Sequence, residues 1–356
     1  MLVNWKISYL NNDDATIQAP DKLVKGQKYW FFRYLPDDLQ VDLIDFSKLP
    51  LIHFLEKNCF KFYTIQAIRA LMVRKKYDLI ISHSAQSAVF FAFLRSLIGE
   101  KMPPHLVIDP ASFNGGRDNF FELLPIKVAA CSIMALIYHA TIQKQYYDRH
   151  LPTLSKMAYY IPFGVDTDFF APMNLPVEDY VIAFGDKKRD YQTLIRAWLK
   201  LREPKAKLLI VGVRKLKSFN TSDALLPISF QPRVTVDKLK TMIAKSLFVV
   251  LPLPYYNYSY AQMSLLQSMS MGKAVIVTET PGIADYIKNG VNVITVKPYD
   301  PDDLAEKIKW CLVNRELTSE IGYQARFAVL NEYNEKLMAK KIYLVIKKLV
   351  EGYAIA

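Results

Sequence analysis

Short apolar runs alternate with helical patterns along most of this chain, and that alternation restricts the fold more than any other feature. In the first half the apolar runs predict five strands: Trp5–Leu10, Val41–Phe46, Asp78–Ser82, His105–Asp109 and Ala158–Ile161. Between them the spacing of apolar residues predicts helices over Phe62–Lys76, Ala88–Leu97 and Ala129–His150. Strands that alternate with helices form parallel sheets that are covered by helices on both faces.

The second half repeats this rhythm. Its predicted strands are Tyr180–Phe184, Lys207–Val213, Leu247–Leu253, Ala274–Thr278 and Val293–Val296, and its predicted helices are Tyr191–Lys200, Asp237–Lys245, Ala261–Met271, Pro281–Lys288 and Pro301–Asn314. We therefore predict two doubly wound, Rossmann-like α/β domains, residues 1–160 and 161–334, which face each other across a cleft. Residues 335–356 are predicted to form a final helix that crosses back to the first domain.

Composition excludes several classes of protein. The chain has 356 residues, of which 51% are hydrophobic, so disorder is excluded as the main state. The start, Met1–Leu10, lacks a basic segment followed by an apolar run, and the longest apolar stretch, Val128–Leu136, is shorter than the ~20 residues that span a bilayer. We expect a cytoplasmic protein. Its net charge of +12 attracts polyanions, but the basic excess is spread over both halves and does not form a tail that grips nucleic acid.

The segment Leu253–Thr278 contains the strongest candidates for a ligand-binding site. Ser259 precedes a predicted helix and Gln262 follows three residues later, which is the spacing of a capping box. The start of a helix just after a buried strand is an anion site, so the amides of Tyr260, Ala261 and Gln262 could bind a diphosphate. Further along the helix, Gln267 suits the hydroxyls of a ribose or a sugar. The alternative is an ordinary capped helix that binds nothing.

The same segment resembles the nucleotide-sugar site of family-4-type retaining glycosyltransferases of the GT-B fold (glycosyl transferases group 1). Their pattern is roughly E-x7-E, with A-M-A-x-G-K-P-V after the second Glu. This chain has Gln267-Ser-Met-Ser-Met-Gly-Lys-Ala-Val275, so Gln267 occupies the second Glu position and Ser259 the first. The chain is thus divergent at the E-x7-E motif, because both acidic residues are replaced.

Two further segments carry the resemblance. Tyr159–Pro172 is similar to the I-P-N-G-V-D-x-x-x-F-x-P stretch that opens the second domain of these enzymes. Tyr180–Trp198 is similar to their G-R-x-x-x-x-K-G…L-x-x-A segment, which begins here at Gly185 and places Arg189 at the Lys position. Lys187 or Lys188 stands in for the Arg. The resemblance implies that these cations and Gly185 bind the donor, and that Arg189 is catalytic because it stabilises the leaving diphosphate.

The resemblance also implies the reaction and its partners. A hexose-type sugar would pass from a nucleoside-diphosphate sugar, UDP- or GDP-linked, to a glycan or lipid-linked acceptor, with retention of configuration. Neither a metal nor a cofactor is expected. The enzyme would serve polysaccharide or glycolipid biosynthesis.

On the acceptor side, polar residues follow three predicted strands of the first domain. Asn11 follows the first strand, His83 follows Asp78–Ser82, and Asp109 ends the next strand with Ser112 and Asn114 after it. We predict Asp109 as the catalytic group that orients the acceptor hydroxyl, with the other residues beside it. For His83, a hydrogen-bonded loop histidine is the simpler interpretation.

Several other interpretations stay open. Asp166-Thr-Asp168 has the form of a metal-binding triplet but lies at the domain junction, and no glycine-rich dinucleotide or P-loop motif follows a strand. The basic amphipathic patterns Phe62–Lys76 and Ile126–Arg149 could lie on an anionic membrane surface, as in a peripheral membrane protein. The alternative functions are a nucleotide-sugar epimerase or binding module without transferase activity, and a basic nucleic-acid-binding protein.

Overall fold

The computed structural model describes residues 1–4, 23–24, 30–45, 49–98, 102–113, 120–185, 188–201, 205–213 and 227–354. The chain forms two compact units. Unit 1 comprises Met1–Pro162, Tyr258–Tyr260 and Lys336–Ala356, and unit 2 comprises Phe163–Asn257 and Ala261–Glu335.

Unit 1 contains a seven-stranded sheet in the order β2-β3-β1-β4-β5-β6-β7. Its strands are β1 Leu2–Asn4, β2 Leu23–Val24, β3 Asp42–Ile44, β4 Ile80–His83, β5 His105–Asp109, β6 Ala135–Tyr138 and β7 Ala158–Tyr160. All neighbours pair in parallel except β2, which is antiparallel to β3.

Helices connect the strands of unit 1. They are α1 Pro50–Leu55, followed by a π-helical turn Glu56–Phe60, α2 Thr64–Val73, α3 Ala85–Ile98, α4 Phe120–Ala130, α5 Gln143–His150 and α6 Pro152–Ser155. The last helix of the chain, α12 Glu335–Ala354, completes this unit. Its residues Met338, Ile342 and Ile346 are buried in one core with Val3 and Ile81 of the sheet.

Unit 2 contains a six-stranded parallel sheet in the order β10-β9-β8-β11-β12-β13. Its strands are β8 Tyr180–Phe184, β9 Lys207–Val211, β10 Ile228–Gln231, β11 Val249–Leu251, β12 Val275–Thr278 and β13 Ile294–Val296. Its helices are α7 Tyr191–Leu199, α8 Val236–Lys245, α9 Gln262–Ser270, α10 Pro301–Val313 and α11 Arg315–Glu332, with a 3-10 turn over Pro281–Tyr286.

The structure corrects the prediction of one long helix over Ala129–His150. Helix α4 ends at Ala130, β6 runs over Ala135–Tyr138, and α5 begins at Gln143. All four residues of β6 are buried, and a strand buried on both faces has a continuous apolar run that its spacing cannot distinguish from a helix. The basic amphipathic segment Ile126–Arg149 is therefore not one helix.

Several elements of the structure were not predicted from the sequence. Helices α1 and α11 and strand β10 were not predicted. The predicted strand Trp5–Leu10 lies outside the described residues, and the first described strand is Leu2–Asn4. No helix in the described part of the chain is both long enough and apolar enough to cross a membrane.

Candidate functional site

Two glycines shape the carboxyl edge of the unit 2 sheet. Gly185 follows β8 with φ +134°, and Gly212 follows β9 with φ +108°, a region of backbone conformation that favours glycine. A Cβ atom on Gly212 would overlap the carbonyl oxygen of Gly185. The two loops approach so closely that Gly212 has no room for a side chain.

The space above Gly185 is filled by Arg189. A Cβ atom on Gly185 would lie 2.5 Å from Arg189 Nε. Arg189 Nε donates to the Phe184 carbonyl at 3.4 Å, and Nη2 donates to Ser264 Oγ at 2.8 Å. The guanidinium is thus held between the end of β8 and the first turn of α9.

Asp190 fixes the backbone next to Arg189. Its carboxylate caps α7 by accepting from Thr193 N at 3.2 Å, and its own amide donates to Pro252 O at 3.0 Å. Because Pro252 directly follows β11, this bond joins the loop after β8 to the end of the neighbouring strand.

Helix α9 begins at Gln262, after Ala261 with φ +71°. The Leu265 amide donates to Ala261 O at 3.0 Å, so the amides of Gln262, Met263 and Ser264 precede the first helical hydrogen bond. Those amides and the helix dipole make this end of α9 positive. Ser264 is the residue that the sequence analysis missed here; its signal was a hydroxyl in the first turn of the helix.

The predicted capping box is wrong. Helix α9 has no side-chain cap, and Gln262 does not reach back toward Ser259. Its side chain is buried and donates from Nε2 to Gly282 O at 2.5 Å, which ties α9 to the turn after β12. Gln262 can therefore contribute its backbone amide to a ligand, while its side chain has a structural role.

The other residues that were predicted to bind the nucleotide-sugar donor lie in different environments. Gln267 is half-buried on α9, one turn after Ser264, and among the described residues its side chain makes no hydrogen bond. Lys188 is exposed, and Lys187 lies outside the described residues. Ser259 is buried and, together with Tyr260, belongs to unit 1.

In unit 1 the ends of three neighbouring parallel strands carry titratable groups. His83 ends β4, Asp109 ends β5, and His139 directly follows β6. Ser112 comes after Asp109, whereas Asn11 and Asn114 lie outside the described residues.

Asp109 lies beneath the loop that follows β5, with no exposed surface. Its Oδ1 accepts from Ser112 N and Ser112 Oγ, both at 2.6 Å, and its Oδ2 accepts from Tyr147 OH at 2.6 Å. Burial raises the pKa of this carboxyl, and the hydrogen bonds from Ser112 and Tyr147 oppose that shift. This setting contradicts the prediction that Asp109 orients an acceptor directly.

The Ser112 hydroxyl also forms its hydrogen bonds within the protein. It donates to Asp109 and accepts from Ala85 N at 2.6 Å, so it links the loop after β5 to the start of α3. Asp109 and Ser112 therefore hold the loop in shape, and a ligand would meet the loop that they support.

His83 is half-buried and, like Ser112, keeps some accessible surface. Burial and the neighbouring His139 lower the pKa of His83 to about 3, so its ring is neutral at physiological pH. His139 is buried and donates from Nδ1 to Ile161 O at 2.8 Å. A neutral His83 could exchange hydrogen bonds with a hydroxyl group.

Asp166 and Asp168 form a turn. Asp166 Oδ1 accepts from Asp168 N at 3.1 Å and from Phe169 N at 3.0 Å. Across the residues that the structure describes, no three His, Cys, Asp or Glu side chains are grouped to hold a metal ion.

Comparison with known proteins agrees with this architecture. The model of the family described as "Glycosyl transferases group 1" matches residues 179–314, which begin just before β8 and end just after α10. An uncharacterised glycosyltransferase of Methanocaldococcus jannaschii is 25% identical over 138 residues, which are 39% of this chain and 37% of that protein. The similarity thus spans little more than a third of the curated relative.

Solved structures share the whole fold. Sucrose-phosphate synthase from Thermosynechococcus elongatus superposes with a TM-score of 0.73 at 16% identity, over 99% of this chain and 89% of that one. HepE from Anabaena, solved in complex with UDP-glucose, gives a TM-score of 0.66 at 16% identity, over 86% of each chain. The predicted GT-B fold is confirmed.

Proposed function

We propose that this chain is a retaining glycosyltransferase. It moves a hexose-type sugar from a nucleoside-diphosphate sugar, UDP- or GDP-linked, to a hydroxyl of a glycan, glycolipid or polysaccharide precursor. The observation that carries the proposal is the Arg189 guanidinium held against the first turn of α9 by Ser264.

This arrangement favours an anion with more than one charge. The amino end of a helix is positive and by itself attracts negative groups, so a guanidinium beside it is electrostatically unfavourable unless an anion lies between them. A diphosphate supplies two charged groups, one for the α9 amides and one for the planar fork of Arg189.

The same charges serve the reaction. When the bond from the anomeric carbon to the diphosphate breaks, negative charge develops on the leaving oxygen. Arg189 and the amides of Gln262, Met263 and Ser264 stabilise that charge without moving. They supply positive charge that a metal ion would otherwise provide, which supports a metal-independent reaction.

The positions of the other site residues in the fold suggest their roles in the reaction. Gln267, one turn further along α9, binds the hydroxyls of the ribose or the sugar through its amide. Unit 1 binds the acceptor, and His83 hydrogen-bonds the reacting hydroxyl as a neutral imidazole. Asp109 and Ser112 act as positioning residues beneath the loop after β5.

The comparisons support a nucleotide-sugar donor. The family match covers β8, α7, β11 and α9, which carry the Arg189 arrangement. HepE, which has the same fold, binds UDP-glucose in its solved structure.

A second candidate is a relative that binds or epimerises a nucleotide sugar without transferring it. The observation that favours it is Ser259 and Gln267 at the two positions where a resembling transferase has acidic residues. Nucleic-acid binding is the third alternative, and it predicts binding that weakens steeply with salt.

The first test is a thermal-shift screen against UDP, GDP, ADP, CMP and their sugar conjugates, with and without magnesium. A nucleotide at a hundredfold excess over its Kd should stabilise the protein by about 2.7 kcal/mol. A shift with one diphosphate that persists without magnesium supports the donor site and identifies the base. The absence of any shift in the folded protein would refute it.

The second test separates transfer from epimerisation. The donor that shifts the melting temperature is incubated with and without mixed glycan and lipid acceptors, and products are separated by mass spectrometry and chromatography. Transfer gives a glycosylated acceptor, and the product's anomeric configuration tests retention. An isomeric donor that forms without acceptor would favour the epimerase.

A further inference from the structure

A cavity of about 430 Å³ lies in unit 1, between helix α12 and the segment that begins with a 3-10 turn, Trp30–Tyr34. Its lining includes Tyr34 and Asp37 from that segment and Lys336, Lys340 and Tyr343 from the helix. The volume is within the range of about 300–1,000 Å³ that small-molecule sites have. We call this cavity, with these five residues, the tyrosine cavity.

The two tyrosines are held in place by the core of unit 1. Both are half-buried and pack against the same apolar cluster, which contains Phe32 and Ile342. The face of an aromatic ring carries partial negative charge and attracts C–H groups. Tyr34 and Tyr343 can therefore contact the side of a sugar ring that carries C–H groups.

Lysine side chains bring positive charge to the tyrosine cavity. Lys336 and Lys340 are exposed and lie four residues apart, so they share one side of α12. Lys336 Nζ lies 5.8 Å from the centroid of the Tyr34 ring, and the Arg33 guanidinium carbon lies 5.0 Å from it. Two lysines at this spacing repel each other, and Lys336 in the first turn of α12 also opposes the helix dipole. Helix stability does not favour this arrangement, whereas a bound anion would stabilise it.

Asp37 adds a third kind of contact. Among the residues that the structure describes at the tyrosine cavity, it is the acidic one, and a carboxylate accepts hydrogen bonds from hydroxyl groups. The cavity thus offers aromatic rings, a hydroxyl acceptor and cations. A sugar that carries a carboxylate or a phosphate, here called an acidic sugar, matches all three contacts. A neutral sugar or an inorganic anion matches only some of them.

The 3-10 turn connects the tyrosine cavity with the acceptor side of unit 1. Trp30 begins the turn, and its ring lies 5.7 Å from the His83 ring, centroid to centroid. Tyr34 ends the turn. At about 2 Å per residue, Trp30 and Tyr34 are roughly 8 Å apart along it. Neighbouring sugars of one glycan can span that distance.

We infer that the tyrosine cavity binds an acidic sugar, and that the acceptor is a glycan that contains one. Lys336 and Lys340 contact the charged group, Tyr34 and Tyr343 contact the ring, and Asp37 accepts from its hydroxyls. The statement about the acceptor rests on the proposed function, whereas the binding site is tested without any donor.

The first test is saturation-transfer NMR of the full chain with glucuronic acid, glucose 6-phosphate and glucose, with inorganic phosphate as a competitor. At least one acidic sugar should bind, and glucose should bind at least fivefold more weakly. The comparison of the two acidic sugars shows whether a carboxylate or a phosphate is preferred. Inorganic phosphate should compete only at higher concentration, because it lacks the ring.

Variants test whether the probe binds in the tyrosine cavity. Lys336→Gln combined with Lys340→Gln should raise the Kd for the acidic sugar at least tenfold, since each exposed ion pair contributes up to about fivefold. The matched control, Lys341→Gln with Lys347→Gln, removes the same charge from exposed positions of α12 outside the cavity lining and should stay within twofold. Tyr343→Leu should raise the Kd about threefold, and Tyr343→Phe, which keeps the ring, should not. Circular dichroism and thermal melting check that each variant is folded.

Arg189→Met separates this site from the donor site. It should leave the Kd for the acidic sugar unchanged, and the double lysine variant should leave the Kd for the nucleoside diphosphate unchanged. In a transfer assay with acidic and neutral glycans, the acidic glycans should gain the sugar. Transfer to neutral glycans alone would refute the statement about the acceptor, whereas no transfer to any glycan would contradict the proposed function.

Four binding results would overturn the assignment of the tyrosine cavity. The folded chain binds neither acidic sugar; glucose binds as tightly as the acidic sugars; inorganic phosphate competes at the same concentration as the acidic sugar itself; or the double lysine variant and its control lose binding equally.

Discussion

Replacing Arg189 with methionine tests the donor site directly. Arg189 Nη2 donates to a neutral hydroxyl, Ser264 Oγ, and the guanidinium is only part-buried, so the substitution leaves no buried charge behind. Methionine retains most of the stem that packs above Gly185. The variant should therefore fold, and its defect should be confined to anion binding.

The expected loss follows from the contacts that remain. A hydrogen bond to a charged group contributes about 1.5–3 kcal/mol, which corresponds to a roughly 10- to 150-fold increase in Kd for the nucleoside diphosphate. The amides of Gln262, Met263 and Ser264 are unaffected and keep part of the affinity. Arg189→Lys retains the charge but not the planar fork, so its Kd should be intermediate.

Isothermal titration calorimetry with the diphosphate that stabilises the protein measures these constants. Arg196→Met is the matched control, because Arg196 lies exposed on α7, a few residues further along the chain. A Kd for Arg189→Met within twofold of the unchanged chain would refute the assignment of Arg189. An equal loss in the Arg196→Met variant would show that general charge, and not the site, attracts the nucleotide.

Three further predictions concern stability. Gly212→Ala should lower the free energy of unfolding, measured in urea, by at least about 2 kcal/mol, because the added Cβ would meet the Gly185 carbonyl at a positive φ. Gly290→Ala is the control: Gly290 has φ +73° but lies in open space, so its substitution should lower the free energy of unfolding less. Equal losses in the two variants would contradict the close approach of the loops. Tyr147→Phe removes a hydrogen bond to the buried Asp109 carboxylate and should lower the free energy of unfolding by about 1.5–3 kcal/mol. The Kd for the nucleotide should not change. A changed Kd would argue against a purely structural role for Tyr147. Burial lowers the pKa of His139 to about 4, so the unfolded chain binds an extra proton as pH falls below 6.5 and stability is lost toward pH 4. Between pH 6 and 5, His139→Gln should reduce the slope of unfolding free energy against pH by about 1 kcal/mol per unit, and an unchanged slope would contradict the buried neutral ring.

The sequence predicted the class of fold because periodicity reports burial. Strands such as His105–Asp109 and Tyr180–Phe184 were predicted at their observed bounds. Short apolar runs that alternate with amphipathic helices are typical of a parallel sheet covered by helices. Where a segment is buried on all sides, the periodicity of its apolar residues no longer distinguishes a strand from a helix. The run Ala135–Tyr138 was assigned to a helix because a fully buried strand has no alternating pattern.

The sequence also drew attention to Arg189 and to the loop before α9, through residue types and their spacing. It could not determine how their side chains pair. Whether Gln262 caps its own helix or bonds Gly282, whether Asp109 faces solvent or lies beneath a loop, and whether Ser264 holds Arg189 depend on contacts between residues up to 75 positions apart. Local spacing determines which elements form. Only the packing of those elements decides which polar groups are buried and bonded to one another, and which stay available to a ligand.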